Sequence, residues 1–278
     1  MNSVAKIAAE MNEPDDSTRV IADTFDQRAP NYGKGEWHRI YAERLVELAA
    51  LEPRQSVLDA GAGTGLAAVA IARAVGPSGR VVAIDISLGM LAEARAAIAA
   101  GGFTNVEVAQ ADATNLPQFD ASAFDAVICA AALLYMPVAA ALEEWHRVLK
   151  PGGLVGFSTM REGSPRAGQL FRDCAQEFGI RLQDPSAALG SDDRCRAALA
   201  AAGFHDLAIV AEHVDFSPAD LARAWDSNSR SPSHVAVRGL SDMDRDALHE
   251  QYESALRAHL ADDAMFARAE VLYAFGRK

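Results

Sequence analysis

Three carboxylates and one glycine loop carry the chemistry that this sequence can do. Gly61-Ala62-Gly63-Thr64-Gly65 follows the apolar run Ser56 to Asp59 and precedes an alanine-rich helical stretch. At that place in a parallel sheet, glycines let backbone approach a ligand and a helix N-terminus offers unpaired N–H groups. The spacing is G-x-G-x-G. A dinucleotide fingerprint would place its third glycine at position 66, which is Leu66. Asp59 stands two residues ahead of Gly61, where it would repel a pyrophosphate and welcome a cationic group. Asp85 closes the next apolar run, at the distance from the loop where an acid chelates ribose hydroxyls and disfavours a 2′-phosphate. Asp112 follows the third run, where it can accept from an exocyclic amine. Together these acids describe a ligand with an amine, a ribose and an adenine, and no phosphate.

The elements that must hold these residues alternate in type. Expected strands are Ser56–Asp59, Arg80–Asp85, Val106–Ala109, Phe124–Ala130 and Leu154–Thr159. Helices are expected from the glycine loop to Ala74, over Met90–Ala100 before Gly101-Gly102, and over Ala139–Leu149 before Lys150-Pro151-Gly152-Gly153. Continuous apolar strands between helices predict an α/β fold with a parallel sheet buried on both faces. Upstream, a helical pattern starts at Ile21, breaks at Ala29-Pro30-Asn31, and resumes over Trp37–Leu51 until Pro53. Downstream, the spacing predicts a helix over Asp193–Ala202, a strand over Asp206–Phe216, a helix opened by Ser217-Pro218, another around Asp242–Leu260 and a last strand over Glu270–Phe275. About fifty residues between those two strands are too long for a turn, so they are expected to form a helical cap.

Val57–Gly65 (VLDAGAGTG), Val81–Asp85 (VVAID), Ala109–Pro117 (AQADATNLP), Phe124–Met136 (FDAVICAAALLYM) and Leu149–Gly153 (LKPGG) resemble, in order, the successive motifs of class I S-adenosylmethionine-dependent methyltransferases. The likeness covers about residues 20–160 and is strongest to the small-molecule branch that includes ubiquinone/menaquinone-biosynthesis-type enzymes. It implies a Rossmann-like, mostly parallel seven-stranded sheet with helices on both faces and an antiparallel last strand. The corresponding division is an N-terminal segment and lid helix over 1–36, a cofactor-binding core over 37–216 and 265–278, and a helical cap over 217–264. In the cofactor site, Asp59, Ala60 and the Gly61–Gly63 backbone would hold the methionine end, and Asp85 the ribose. Ile86 and Met90 would sandwich the adenine, Asp112 and the Ala113 N–H would read its edge, Ala130 would contact the amine, and Tyr32 would close over the methionine end.

Methyl transfer from a sulfonium is an in-line displacement in which alignment and exclusion of water are the larger contributions, so no catalytic residue is obligatory. His38 and His234 are the histidines placed to serve as a general base for a phenol, alcohol, enolisable carbon or protonated amine. Tyr135, Arg161 and Trp225 are candidates for contact with the acceptor. The expected acceptor is a small, partly apolar metabolite: a quinone, phenol, polyketide or other secondary product. Two other functions share this sheet: an NAD(P)-dependent oxidoreductase, disfavoured by Leu66 and Asp59, and a protein that binds S-adenosylmethionine without methylating.

Composition sets the outer limits. The 278 residues are half hydrophobic and carry 38 acidic against 26 basic side chains, a net charge of −12. That excludes a disordered chain and disfavours duplex nucleic acid as a partner. No run reaches the length of a membrane span, and Met1–Asp15 lacks the pattern of a signal peptide, so a soluble, cytoplasmic protein is expected. Cys129, Cys174 and Cys195 show no metal-ligand spacing, so no metal is expected. Nothing indicates an oligomer.

Overall fold

The computed structural model describes residues 16–33 and 35–278. The leader reading of Met1–Asp15 lies outside them. Seven strands form one sheet in the order β3-β2-β1-β4-β5-β7-β6. They are β1 (Ser56–Ala60), β2 (Arg80–Asp85), β3 (Val106–Gln110), β4 (Phe124–Ala130), β5 (Leu149–Met160), β6 (His205–Asp215) and β7 (Arg268–Arg277). The first five pair in parallel, while β7 slots antiparallel between β5 and β6. The fold is therefore α/β and mostly parallel, with an antiparallel last strand. Val57, Leu58, Val81, Val82, Ile84, Val127 and Ile128 are all completely buried, as strands sandwiched between helical layers must be.

Helices α1 (Asp16–Arg28) and α2 (Glu36–Ala49) precede the sheet. The helical pattern expected from Ile21 is already under way at Asp16. α2 ends before Pro53 is reached, because Ala50 adopts a left-handed conformation (φ 46°) and its N–H turns back to the Glu47 carbonyl. α3 (Leu66–Val75) and α4 (Leu88–Ala100) flank the first strands, and α5 (Val138–Val148) leads into β5. β5 begins five residues earlier than the expected Leu154. The C-terminus explains this: the Gly152 N–H donates to the Lys278 carbonyl and the Lys278 N–H to the Gly153 carbonyl, holding Lys150–Gly153 extended.

Helix α6 (Arg166–Glu177) has no counterpart among the sequence expectations. α7 (Asp192–Ala201) precedes β6. Between β6 and β7 lie α8 (Pro218–Leu221), α9 (Ala224–Ser229), a 3-10 stretch Pro232–Gly239 and the long α10 (Asp242–Asp262). Ser217 and Asp220 close α8 with a reciprocal capping box. Ala167, Phe171, Cys174 and Ala175 of α6 share one apolar cluster with Ala224, Val237, Leu248, Tyr252 and Leu256. The helical layer over the carboxyl ends of β4 and β5 is thus built from two separate pieces of chain.

Candidate active site

A cleft at the carboxyl ends of β1, β2 and β4 is lined by Tyr32, Gly61, Gly63, Asp85, Ile86, Met90, Asp112, Ala113 and Ala130, all named from the sequence. It encloses about 1090 Å³ of free space, open solvent included. Its floor is the glycine loop. The Gly61 and Ala62 N–H groups both donate to the Ile84 carbonyl, at 2.9 and 2.8 Å, so β2 pulls the loop into its tight turn. Gly61 has φ +76°, and a Cβ there would stand 2.5 Å from the Ala132 Cβ. A Cβ on Gly63, at φ +54°, would meet nothing within 4 Å, so that glycine leaves space beside the loop.

Asp85 is fixed from both sides. Its Oδ2 accepts from the Gly63 N–H at 2.8 Å and its Oδ1 from the Ser87 N–H at 2.9 Å. Burial raises its pKa, and these amides offset part of the rise. One lone pair on each oxygen remains for a diol. Asp112 spends only Oδ1, which accepts from the Thr114 N–H and hydroxyl at 2.8 and 2.7 Å. Its Oδ2 is left for an amine donor. Ser87 caps α4 by accepting from the Met90 N–H, which seats Met90 in the wall. After β4 the chain turns through Ala131 in a left-handed conformation (φ 51°), with its N–H donated to Ser158 Oγ. That turn brings Ala130, Ala131 and Ala132 to the cleft.

Asp59 and Ala60 are placed differently from the expectation. Both are completely buried in β1 and neither lines the cleft. Neither Asp59 oxygen has a hydrogen-bond partner, and burial, together with the charge of Asp85, pushes its carboxyl up to about 8. The loop N–H groups of Gly61, Ala62 and Gly63 are all committed internally. With those three donors spent and the Asp85 carboxylate in the wall, this end of the cleft favours an ammonium.

A second cavity adjoins the first and shares Tyr32, His38, Tyr41, Ala131 and Tyr135 with it. Much of the rest of its wall comes from α1, α6 and the β6–β7 segment, including Arg28, Gly168, Arg172, Asp220, Asn228, Ser231 and His234, and Trp37, Met160 and Asp184 line it as well. The junction is aromatic: Tyr32 and His38 rings lie 4.8 Å apart, Trp37 and His38 4.4 Å, and Phe25 and Tyr135 5.3 Å. Burial and the neighbouring Arg28 charge lower the His38 pKa to about 4, so the imidazole is neutral, and its Nδ1 has no partner. His234 is 2% exposed; its Nδ1 lies 2.9 Å from the Asn228 carbonyl, which assigns the proton to Nδ1 and leaves Nε2 unprotonated and unpartnered.

Two acceptor candidates stand elsewhere. Arg161 is spent on ion pairs with Glu270 at 2.5 Å and Asp192 at 3.0 Å and lines neither cavity. Trp225 stacks on His249 with ring centroids 4.2 Å apart and packs against Phe171, inside the helical layer and away from both cavities. The sequence reading missed Thr18, Ile21 and Phe25, the α1 face over the first cavity. The four-residue step from Ile21 to Phe25 was the available signal.

A family model described as a methyltransferase domain matches residues 57–153. The demethylmenaquinone methyltransferase of Staphylococcus carnosus is 27% identical over 229 residues, covering 72% of this chain and 93% of that protein. Its Staphylococcus aureus namesake is 36% identical over 136 residues, 49% of this chain; the match spans 55% of that protein. Among solved structures, Haemonchus contortus phosphoethanolamine N-methyltransferase 2, in complex with phosphomonomethylethanolamine and S-adenosylhomocysteine, shares the fold at a TM-score of 0.59 and 18% identity, over 96% of this chain and 61% of that one. Among the described residues no helix is long and apolar enough to cross a membrane, and no group of three or more His, Cys, Asp or Glu is arranged to hold a metal.

Proposed function

Since this chain is a class I S-adenosylmethionine-dependent methyltransferase, we propose that it methylates a small, partly apolar metabolite bearing a hydroxyl or enolisable group, of the quinone, phenol or polyketide kind. The observation that carries this reading is the pair of cavities with one common wall. The first fits S-adenosylmethionine: Asp85 has a lone pair per oxygen for the ribose, Asp112 Oδ2 is free for the adenine amine, and the glycine loop leaves room where a Cβ would intrude. When bound, that cofactor supplies an electrophilic methyl group; the chain supplies alignment and dryness. The second cavity holds the acceptor, with residues 217–264 and α6 as its cap and α1 as a lid over the first.

His38, at the junction, is the nearest candidate base. With a pKa near 4 it is a weak one, so it takes up a proton only from an acceptor that is already acidic. His234 lines the second cavity and not the first, and is better suited to accept a hydrogen bond than to reach the transferred group. The sulfonium loses its charge in the reaction, so a dense anionic wall would favour the bound state over the transition state. The aromatic junction avoids that.

The test is direct. Calorimetry should show stoichiometric binding of S-adenosylhomocysteine, and incubation with S-adenosylmethionine and fractionated metabolite extracts should give a product heavier by one methylene. Binding of cofactor without any such product would favour a non-methylating role, and failure to bind S-adenosylhomocysteine would remove the reading of the first cavity.

A further inference from the structure

Arg28 ends α1 beside the wall common to both cavities, and it lines the second. Its guanidinium lies 5.5 Å from the Phe25 ring centroid and 5.2 Å from that of Tyr32. No described carboxylate is within ion-pair distance of it. Of the other charged groups that line this cavity, two are paired with each other. Arg172 is paired with Asp184 at 2.8 Å, and both are about nine-tenths buried. Asp220 spends Oδ2 on the Ser217 N–H and hydroxyl. His38 and His234 are held neutral by burial. Among the described residues, Arg28 is thus the cation of this cavity that is held in no ion pair; it stands among aromatic rings, and the capped carboxylate of Asp220 lines the same cavity. The Arg28 charge adds to burial in favouring the neutral form of His38 and His234, and it opposes the rise that burial gives Tyr32 and Tyr135.

A half-buried guanidinium flanked by aromatic rings favours a planar anion that can accept from its fork and stack beside the same rings. We propose that Arg28 is an oxyanion-binding residue of the acceptor site, so that the acceptor is bound as a phenolate or enolate. This rests on the reading of the second cavity as the acceptor site. It also relieves the difficulty with His38. The acceptor's proton leaves to water, because Arg28 stabilises the anion, and no strong protein base is required. Arg28 thus belongs to the binding machinery.

4-Nitrophenol, whose anion is yellow, tests this with the whole protein saturated in S-adenosylhomocysteine. Bound to the wild type it should titrate roughly one to three pH units below the free phenol, the shift typical of an adjacent cation. Arg28→Gln should abolish the shift, and Arg28→Lys should keep part of it. Binding that leaves the titration unchanged or raises it overturns the proposal, as does the absence of saturable binding to the wild type. An Arg28→Gln protein that folds, by its circular dichroism, yet keeps the full shift overturns it too. The wild-type titration decides even if the variants fail to fold. S-Adenosylhomocysteine affinity, measured in the same samples, reports on the first cavity alone, so a failure of the cofactor reading is seen separately.

Discussion

At the scale of single residues, Asp59 and Asp85 behave differently because their burial and their hydrogen bonds differ. Asp85 organises the glycine loop and Ser87 and still faces the cleft. Asp85→Ala removes the charged acceptor proposed for the ribose and frees two amides. Calorimetry with S-adenosylhomocysteine should show a loss of about 2–3 kcal/mol, or roughly 30- to 160-fold in Kd; an unchanged Kd would overturn the ribose assignment. Asp59 is completely buried, and burial and the charge of Asp85 push its carboxyl up to about 8, with the Ala68 backbone offsetting only part of the rise. A carboxyl raised in the folded state costs nothing below the unfolded pKa near 4. The cost grows as pH rises from there to about 8 and is constant above. Asp59→Asn should therefore melt about 3 °C or more above the wild type at pH 8.5, the gap closing below pH 4. A gap that is the same at both ends would mean that the carboxylate is not desolvated.

At the scale of elements, the motifs that were legible are those in which one short stretch does the whole task. Gly61 to Gly65, Asp85 and Asp112 sit at the ends of strands whose apolar runs announce them, and the chain cannot fold the sheet without presenting them at one edge. Arg161 and Trp225 stand outside both cavities because a cation just past a strand end, or an aromatic in a helical cap, says nothing about which neighbour claims it. Glu270 and Asp192 claim the first, His249 the second. The second cavity was illegible for a related reason: Arg28, Gly168 and the pair Asp220 and His234 come from three distant stretches, and no local pattern links them. α6 was legible in principle, since Ala167, Leu170, Phe171, Cys174 and Ala175 recur at helical spacing. Its Gly168 is the opening through which the cavity gains width, with an added Cβ 3.3 Å from Asn228 Oδ1 and 3.6 Å from Arg172 Nη1. Gly168→Leu should fill that space, raising the acceptor KM at least about tenfold while the S-adenosylhomocysteine Kd stays within twofold of wild type, a loss of about 1.4 kcal/mol or more confined to one site. Equal loss at both sites would show that the two cavities are not separable.

At the scale of the whole molecule, α1 is an element that reaches both cavities. Its Thr18, Ile21 and Phe25 cover the first, and its last residue, Arg28, enters the second. It is tied down at two points. Asp26 Oδ1 accepts from the Ser87 hydroxyl at 2.6 Å and the Gly89 N–H at 2.8 Å, which fastens α1 to the start of α4. Thr24 Oγ1 accepts from Arg238 at 3.1 Å, which fastens it to the 3-10 stretch Pro232–Gly239 of the β6–β7 segment. A ligand that orders α1 from the first cavity must then order part of the cap as well, because the cap's stretch loses a partner whenever α1 opens. Saturation with S-adenosylhomocysteine should slow amide exchange not only in the glycine loop but also across residues 232–239, which touch no part of the first cavity. Arg238→Ala should abolish the second effect and preserve the first. Exchange at 232–239 that ignores the ligand in the wild type would show α1 to be a passive cover, and the acceptor cavity would then be shaped without reference to whether the cofactor is in place.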